Sequence, residues 1–369
     1  MTHTGKLLDI VNRYYELQLC YAELKAFGAT EIEHDILNNS FIFNDGDTDK
    51  LLFRSSWFSE IDGERTFIQD VIQACRKIIW KYSDLWFSHI AYPFKARMRP
   101  QVARSLINIT CPESEGFILD PFCGSGTTCT EAYLCGLNSV GIDIVPFYVY
   151  MSEAKIKFFE QEIVFNPIAN ENNSHPLLDV IHAACTLLKT KFKYEKRASE
   201  IIELQRIYFN QIRDKLRSHG KTEHKFVVGT ATDIPFPSSY FDSIVCSPPY
   251  GSAIKYEKEN PGPGEMMEIP DELKQYQILT KDEESWKNLM TDAFAEMYRV
   301  LKTGGRLAII IGNQKRKGEI VDYVGWAREE LMGMGFKQLY QFTELISSTG
   351  TRNILNDEIL IFEKSRTHR

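Results

Sequence analysis

The sequence predicts an α/β fold: a parallel sheet wound with helices on both faces, plus a small N-terminal element. Three observations carry this. Short apolar runs alternate with helical-period segments from Phe117 to Phe159. The alternation resumes at Phe226 and continues to Phe362. The links within each stretch are short and punctuated by glycine or proline, as in strand–helix–strand units.

The elements follow in order. Phe117-Ile118-Leu119 is a short buried strand after the Gly116 turn. Helix signals run from Thr127 to Cys135, and Gly136 is a suitable stop. Ser139 to Ile142 is the second strand, ending at Asp143, and Pro146 opens a helix toward Phe159. Phe226 to Val228 and Ser243 to Cys246 are further strands. Trp286, Leu289, Met290, Ala293, Phe294, Met297, Tyr298 and Leu301 recur at helical spacing and make one apolar face, which Gly304-Gly305 ends. Arg306 to Gly312 is a buried strand, and Ile320 to Met334 a helix closed by Gly335. Gln338 to Ile346 and Asp357 to Phe362 are antiparallel closing strands. Residues 1–80 are a small α+β or helical element. Tyr14 to Phe27 is a long helix or a strand followed by a helix, and Ser40 to Asn44 pairs with Leu51 to Phe53 as strands.

The bulk composition narrows the class. The chain has 369 residues, of which 43% are hydrophobic, enough for one large domain and a smaller element. No apolar run reaches the length of a membrane helix, and the first residues lack the plan of a signal peptide. The eight cysteines include no Cys-x-x-Cys pair and the eight histidines show no metal spacing, so the expectation is reduced thiols, no metal, and a cytoplasmic protein. The net charge of −7 argues against a general nucleic-acid binder. One segment departs from that balance. Between Cys185 and Lys225 there are eleven lysines and arginines against five acids. It is either a solvated helix face or a phosphate-binding surface, with Lys191, Lys193 and Arg197 as the candidate contacts.

Two motifs carry chemistry. The first, Asp120-Pro-Phe-Cys-Gly-Ser-Gly-Thr-Thr128, joins a strand to a helix. Glycines there let a ligand approach the backbone, and the helix N-terminus supplies free N–H groups. The spacing is neither the dinucleotide fingerprint nor a phosphate loop. Asp120 repels phosphate and attracts an amino group or a sulfonium. Asp143, 23 positions later at the tip of the next strand, suits ribose hydroxyls. A ligand with a ribose and a cationic tail but no phosphate suggests S-adenosylmethionine. The second motif, Ser247-Pro248-Pro249-Tyr250, ends an apolar strand. Two prolines continue neither ladder nor helix, so they set a rigid corner. A planar ligand stacked on Tyr250 would direct its amino N–H groups at the Ser247 hydroxyl and a proline carbonyl.

These motifs resemble those of the methyltransferases that act on exocyclic amino nitrogens of nucleic-acid bases. The serine corner is most like that of DNA cytosine-N4 methyltransferases. Tyr92 to Pro100 is similar to the segment that closes over the methionine end of the cofactor, where Lys95 is a candidate for the cofactor carboxylate. Thr232 to Phe236 resembles the segment whose acid contacts the adenine amino group. The resemblance implies a Rossmann-like catalytic domain over residues 85–365, with a basic helical insertion at about 160–225. It implies cofactor contacts from Phe94, Asp120, Phe122, Gly124, Gly126, Asp143 and Asp233, and catalysis at Ser247, Pro248, Pro249 and Tyr250. Its partners would be nucleic acid, with duplex DNA favoured over RNA, and a cognate restriction endonuclease.

A second resemblance is to tRNA guanine-N2 methyltransferases, which share the Leu-Asp-Pro-Phe-Cys-Gly loop and a corner followed by glycine, here Gly251. Those enzymes have aspartate where this chain has Ser247, and they carry an N-terminal RNA-binding module to which Tyr14 to Phe27 would belong. Adenine-N6 methylation and a non-catalytic cofactor-fold binder are further alternatives. Carbon-5 cytosine chemistry is excluded on the sequence, because it needs a Pro-Cys pair and none occurs.

Overall fold

The computed structural model describes residues 1–78, 87–113, 115–161, 175–188, 196, 198–206, 221–249, 256–278, 282–316, 319–345 and 356–365. The first elements are β1 (Thr2–Leu7), α1 (Tyr14–Ala26), β2 (Ala29–Asp35), β3 (Ser40–Asp45), α2 (Thr48–Arg54), β4 (Phe58–Ile61), β5 (Glu64–Arg65) and α3 (Phe67–Ile78). The strands form an antiparallel sheet in the order β2-β3-β1-β4-β5. Tyr14 to Phe27 is therefore one helix. Leu51 to Phe53 is helical and not a strand, because Asp47 caps α2 by accepting from the Lys50 N–H at 2.9 Å. Ser40 to Asn44 is a strand, but it pairs with β1 and β2.

The second sheet holds β6 (Phe117–Asp120), β7 (Asn138–Asp143), β8 (His224–Val228), β9 (Phe241–Cys246), β10 (Leu301–Ile311), β13 (Phe336–Leu345) and β14 (Asn356–Lys364). A hairpin of β11 (Gln314–Arg316) and β12 (Glu319–Val321) leaves it. The order is β13-β14-β10-β9-β6-β7-β8, parallel from β10 to β8, with β14 antiparallel to both β10 and β13. Its helices are α4 (Pro100–Thr110), α5 (Thr127–Leu134), α6 (Pro146–Glu160), α7 (Pro176–Leu187), α8 (Glu283–Val300) and α9 (Tyr323–Gly333). Two boundaries differ from expectation. The helix before β10 ends at Val300, and Gly304-Gly305 sit inside the strand at a register shift. Glu319 to Val321 is strand, so α9 starts after its cap Asp322, which accepts from the Gly325 N–H at 2.9 Å.

Strand alternation sends side chains to opposite faces. Ile118 and Val245 join α4 and the N-terminal sheet, packing with Leu19, Leu24, Trp57 and Leu106. Leu119 and Ile244 face α8 and α9, packing with Trp286, Met290 and Tyr323. The N-terminal element thus shares a core with the main sheet. The described part of the basic segment is also anchored: Leu177, Ile181, Ile201 and Leu204 pack in one cluster with Phe158 and Phe159 of α6. Lys191, Lys193 and Arg197 lie outside the described residues.

The chain runs outward from β6 through β7 to β8, then returns to β9 on the other side of β6. The β6/β9 boundary is the point where strand order reverses, and such crevices outside carboxyl ends of strands take ligands.

Candidate active site

Both motifs emerge at that boundary. Ile118 pairs with Ser243 and Leu119 with Ile244, so Asp120 and Ser247 leave the ends of neighbouring parallel strands. On the other side Asp120 pairs with Gly141, which brings Asp143 to the same edge. Asp143 pairs with Val228 of β8, and its carbonyl accepts from the Gly229 N–H at 3.0 Å, leading the chain into Thr230 to Asp233. Four strand ends therefore converge on one edge.

Asp120 is 4% exposed. It accepts from the Phe122 N–H at 3.1 Å. Burial pushes its carboxyl up to about 7, offset in part by the Thr128 hydroxyl and the Phe122 N–H, and raised further by the Asp143 charge. No cation pairs with it among the described residues. Asp143 accepts from the Gly124 N–H and from the Val145 N–H, both at 3.0 Å. Burial raises it to about 6 against those bonds. The Ile144 N–H also acts on this carboxylate, which keeps capacity for a further donor.

The two loop glycines do different work. Gly124 has φ +47° and lies under the Phe94 ring, which is 3.6 Å from where a Cβ would stand. Gly126 has φ +71°, and a Cβ there would stand 2.6 Å from the Ser152 side chain of α6. Gly126 is required by packing and by its left-handed backbone, and Gly124 opens toward the cleft. Lys155 supports the loop from behind: it is fully buried and donates to the Ser125 carbonyl at 2.5 Å.

Lys95 does not reach the loop. It is exposed and pairs with Glu259. The cation beside the loop is Arg97, which the sequence reading did not single out. Its Nη1 donates to the carbonyls of His89 at 2.8 Å and Tyr92 at 3.2 Å. Arg97 keeps some exposure, yet burial lowers it to about 10, as in a concave site. No carboxylate pairs with it among the described residues. The carbonyls of His89 and Tyr92 belong to the stretch that carries Phe94, whose ring covers Gly124. A basic residue in a tract of Tyr92-Pro-Phe-Lys-Ala-Arg97 is a weak signal, and sequence alone does not choose between Lys95 and Arg97.

Phe122 is half-buried and Asp233 exposed at the same edge. Ser247 and Pro249 are partly exposed, and Pro248 is buried. The Pro249 carbonyl accepts from the Trp286 indole N–H at 3.0 Å. Among the described residues nothing donates to the Pro248 carbonyl. Tyr250 lies outside the described residues. Downstream, the segment after Tyr256 returns across the cofactor side. Asn260 is fully buried and accepts from the Lys95 N–H at 2.7 Å, and the Pro261 carbonyl accepts from Tyr92 at 2.6 Å.

Residues 91–262 match a family model described as RMKL-like, methyltransferase domain. Residues 241–368 match a model described as DNA methylase. The chain is of the methyltransferase type. The two matches overlap over 241–262, the stretch that contains the Ser247–Pro249 corner. A type II methyltransferase, M.MjaII of Methanocaldococcus jannaschii, is 27% identical over 154 residues, 37% of this chain and 28% of the relative. A tRNA (guanine(10)-N2)-dimethyltransferase of Methanothermobacter thermautotrophicus is 41% identical over 51 residues, 14% of this chain and 15% of the relative. A solved SAM-dependent methyltransferase from Methanosarcina mazei aligns with TM-score 0.37 at 16% identity, over 69% of this chain and 94% of that one. The chain spans well under a third of the length of those two curated relatives.

S-adenosylmethionine is the cofactor of this methyltransferase type, and the residues present fit it. The unneutralised Asp120 carboxylate and Arg97 guanidinium complement a zwitterionic, sulfonium-bearing tail. The remaining acceptor capacity of Asp143 suits a ribose hydroxyl. Among the described residues no helix is long and apolar enough to cross a membrane.

Proposed function

We propose that this chain methylates an exocyclic amino nitrogen of a nucleic-acid base, and that the base is cytosine, at N4, in duplex DNA. The observation that carries the reading is the placement of the Asp120 loop and the Ser247 corner on adjacent parallel strands, with no donor on the Pro248 carbonyl among the described residues.

S-adenosylmethionine supplies an activated methyl group when bound. Asp143 holds the ribose, Asp120 the cationic tail and Arg97 the carboxylate, while Phe94 and Phe122 line the cleft and Asp233 faces the adenine end. Ser247 Oγ and the Pro248 carbonyl accept the two N–H bonds of the target amine. This draws its lone pair out of ring conjugation and toward the methyl. This nitrogen would take the methyl of the bound cofactor with the thioether as leaving group, and would shed one proton to water. Alignment of nitrogen and methyl contributes much of the acceleration. A duplex base must be flipped out to reach the corner, and stacking on Tyr250 offsets the few kcal/mol this costs. Lys191, Lys193 and Arg197 contact the phosphates in this reading.

Charge supports DNA over tRNA. Residues 1–65 hold twelve acids and six bases. α1 is also committed to the core through Tyr15, Leu19, Cys20 and Leu24. An acidic element with a buried helix is a poor phosphate-binding module. The second reading, tRNA guanine-N2 methylation, keeps the support of the short match to the archaeal tRNA enzyme. Incubation with labelled cofactor and separate DNA and tRNA pools, followed by nucleoside mass spectrometry, tests both. N4-methylcytosine in DNA is expected. N6-methyladenine corrects the base, N2-methylguanine in tRNA alone promotes the second reading, and no product with bound cofactor leaves a non-catalytic binder.

A further inference from the structure

A Pro-Pro corner has a particular weakness. Neither Pro248 nor Pro249 has a backbone N–H, so neither can donate a hydrogen bond to hold the turn. Groups that reach its carbonyls from outside therefore bear on its shape. Among the described residues one does so: the Trp286 indole, donating to the Pro249 carbonyl at 3.0 Å.

That donor is held in place. Trp286 is 2% exposed and lies in the first turn of α8, whose cap Asp282 accepts from the Ser285 N–H at 2.7 Å. Its ring meets Tyr323 edge-on at 4.8 Å and Trp326 at 5.5 Å, both from α9. Phe294 backs Trp326 at 5.9 Å. Indole is a donor without acceptor capacity, so it cannot compete with the corner for the target's N–H groups. It occupies one proline carbonyl and leaves the other open.

We propose that Trp286 is a positioning residue for methyl transfer: by holding the Pro249 carbonyl it sets the direction of the Pro248 carbonyl and the Ser247 hydroxyl. The inference rests on the amino-methyltransferase reading above. Trp286 touches neither substrate nor cofactor in this role. It acts on the rate of the chemical step, with cofactor affinity and nucleic-acid affinity left alone.

The wild-type protein is assayed first, in single turnover with the nucleic acid it methylates. Failure of the wild type to methylate any nucleic acid overturns the reading itself, before any variant is made. Trp286→Phe then removes the donor and keeps a ring. The expected result is a single-turnover rate lower by roughly tenfold or more, with Kd for S-adenosylhomocysteine and KM for the nucleic acid within about twofold of wild type. A companion protein carries β-(3-benzothienyl)alanine at 286, which keeps the indole shape and replaces the N–H with sulfur. It is expected to lose rate equally. Should the Phe variant fail to fold, the isosteric protein decides. A wild-type rate in the isosteric protein, or equal losses in rate and both affinities, overturns the proposal and leaves Trp286 a core residue.

Discussion

Two buried regions of this molecule treat charge in opposite ways. Between the N-terminal element and α4, buried charges of opposite sign are joined, Arg104 to Glu131 directly and Arg54 to Glu23 through the Asn108 side chain. Arg104 Nη1 meets Glu131 at 3.2 Å, and its other nitrogens donate to the carbonyls of Arg54 and Phe53. His89 meets the same Glu131 at 2.8 Å, and burial lowers its imidazole to about 4. Arg54 in turn donates to the Asn108 side chain and to the backbone carbonyls of Cys111 and Glu113. At the carboxyl edge of β6 and β7 the charges are open: Asp120, Asp143 and Arg97 have hydrogen bonds from or to backbone but no ionic partner among the described residues. A closed network holds parts together. An open set of buried charges costs stability and persists where a ligand supplies the partner.

The largest test of that contrast is Arg104→Ala. It leaves Glu131 buried beside a neutral histidine, so a loss of about 3–5 kcal/mol is expected in chemical denaturation. Cofactor affinity of the fraction still folded should be unchanged. A small stability effect with a large affinity effect would reverse the assignment of the two regions.

Next comes Ser247→Ala. Turnover should fall by about 10²-fold or more, because an acceptor of the target amine is lost. Calorimetric cofactor affinity should stay as in wild type. Lost cofactor binding would mean the corner belongs to the cofactor site.

Asp120→Asn should move stability and binding in opposite directions. The folded-state carboxyl is raised to about 7 from 3.8, so the folded ligand-free protein binds more protons than the unfolded chain between those values. Its contribution therefore falls as pH rises from about 4 to 7. Removing the charge should stabilise the ligand-free protein at neutral pH by about 1–3 kcal/mol. It should also weaken the cofactor by about tenfold or more. In wild type, cofactor affinity should fall as pH drops through about 7 and then 6, the values of Asp120 and Asp143. A flat profile from pH 5 to 8 would mean that neither acid meets the ligand.

Gly126→Ala should cost about 1–3 kcal/mol, through its positive φ and the clash with Ser152. Any fall in cofactor affinity should be smaller than for Asp120→Asn. The smallest expected effect is in the basic segment. Reversing charge at Lys191, Lys193 and Arg197 should leave stability within about 0.5 kcal/mol and flatten the salt dependence of nucleic-acid binding. An unchanged salt slope would make that segment a solvated face.

The sequence by itself determined the local parts. Strand runs ending in Asp120, Asp143 and Cys246 were legible because each is a short apolar run closed by a turn residue, and such signals need no partner. Both motifs were legible because proline fixes the backbone and glycine frees it wherever they occur. The tertiary structure decided everything that depends on which strand lies beside which. It set Asp120 next to Ser247 across 127 positions of sequence, since only the return of the chain to β9 makes them neighbours. It set Arg97, half-buried, on the carbonyls of His89 and Tyr92 and turned Lys95, two residues away, out to Glu259. It turned Leu51 to Phe53 into helix through the Asp47 cap, against a weak strand preference. It gave Trp286 its carbonyl, a contact between an apolar-face residue and a loop 37 positions away. Local chemistry is written in neighbouring residues, while charge pairing and hydrogen-bond assignment are properties of distance, which a chain acquires on folding.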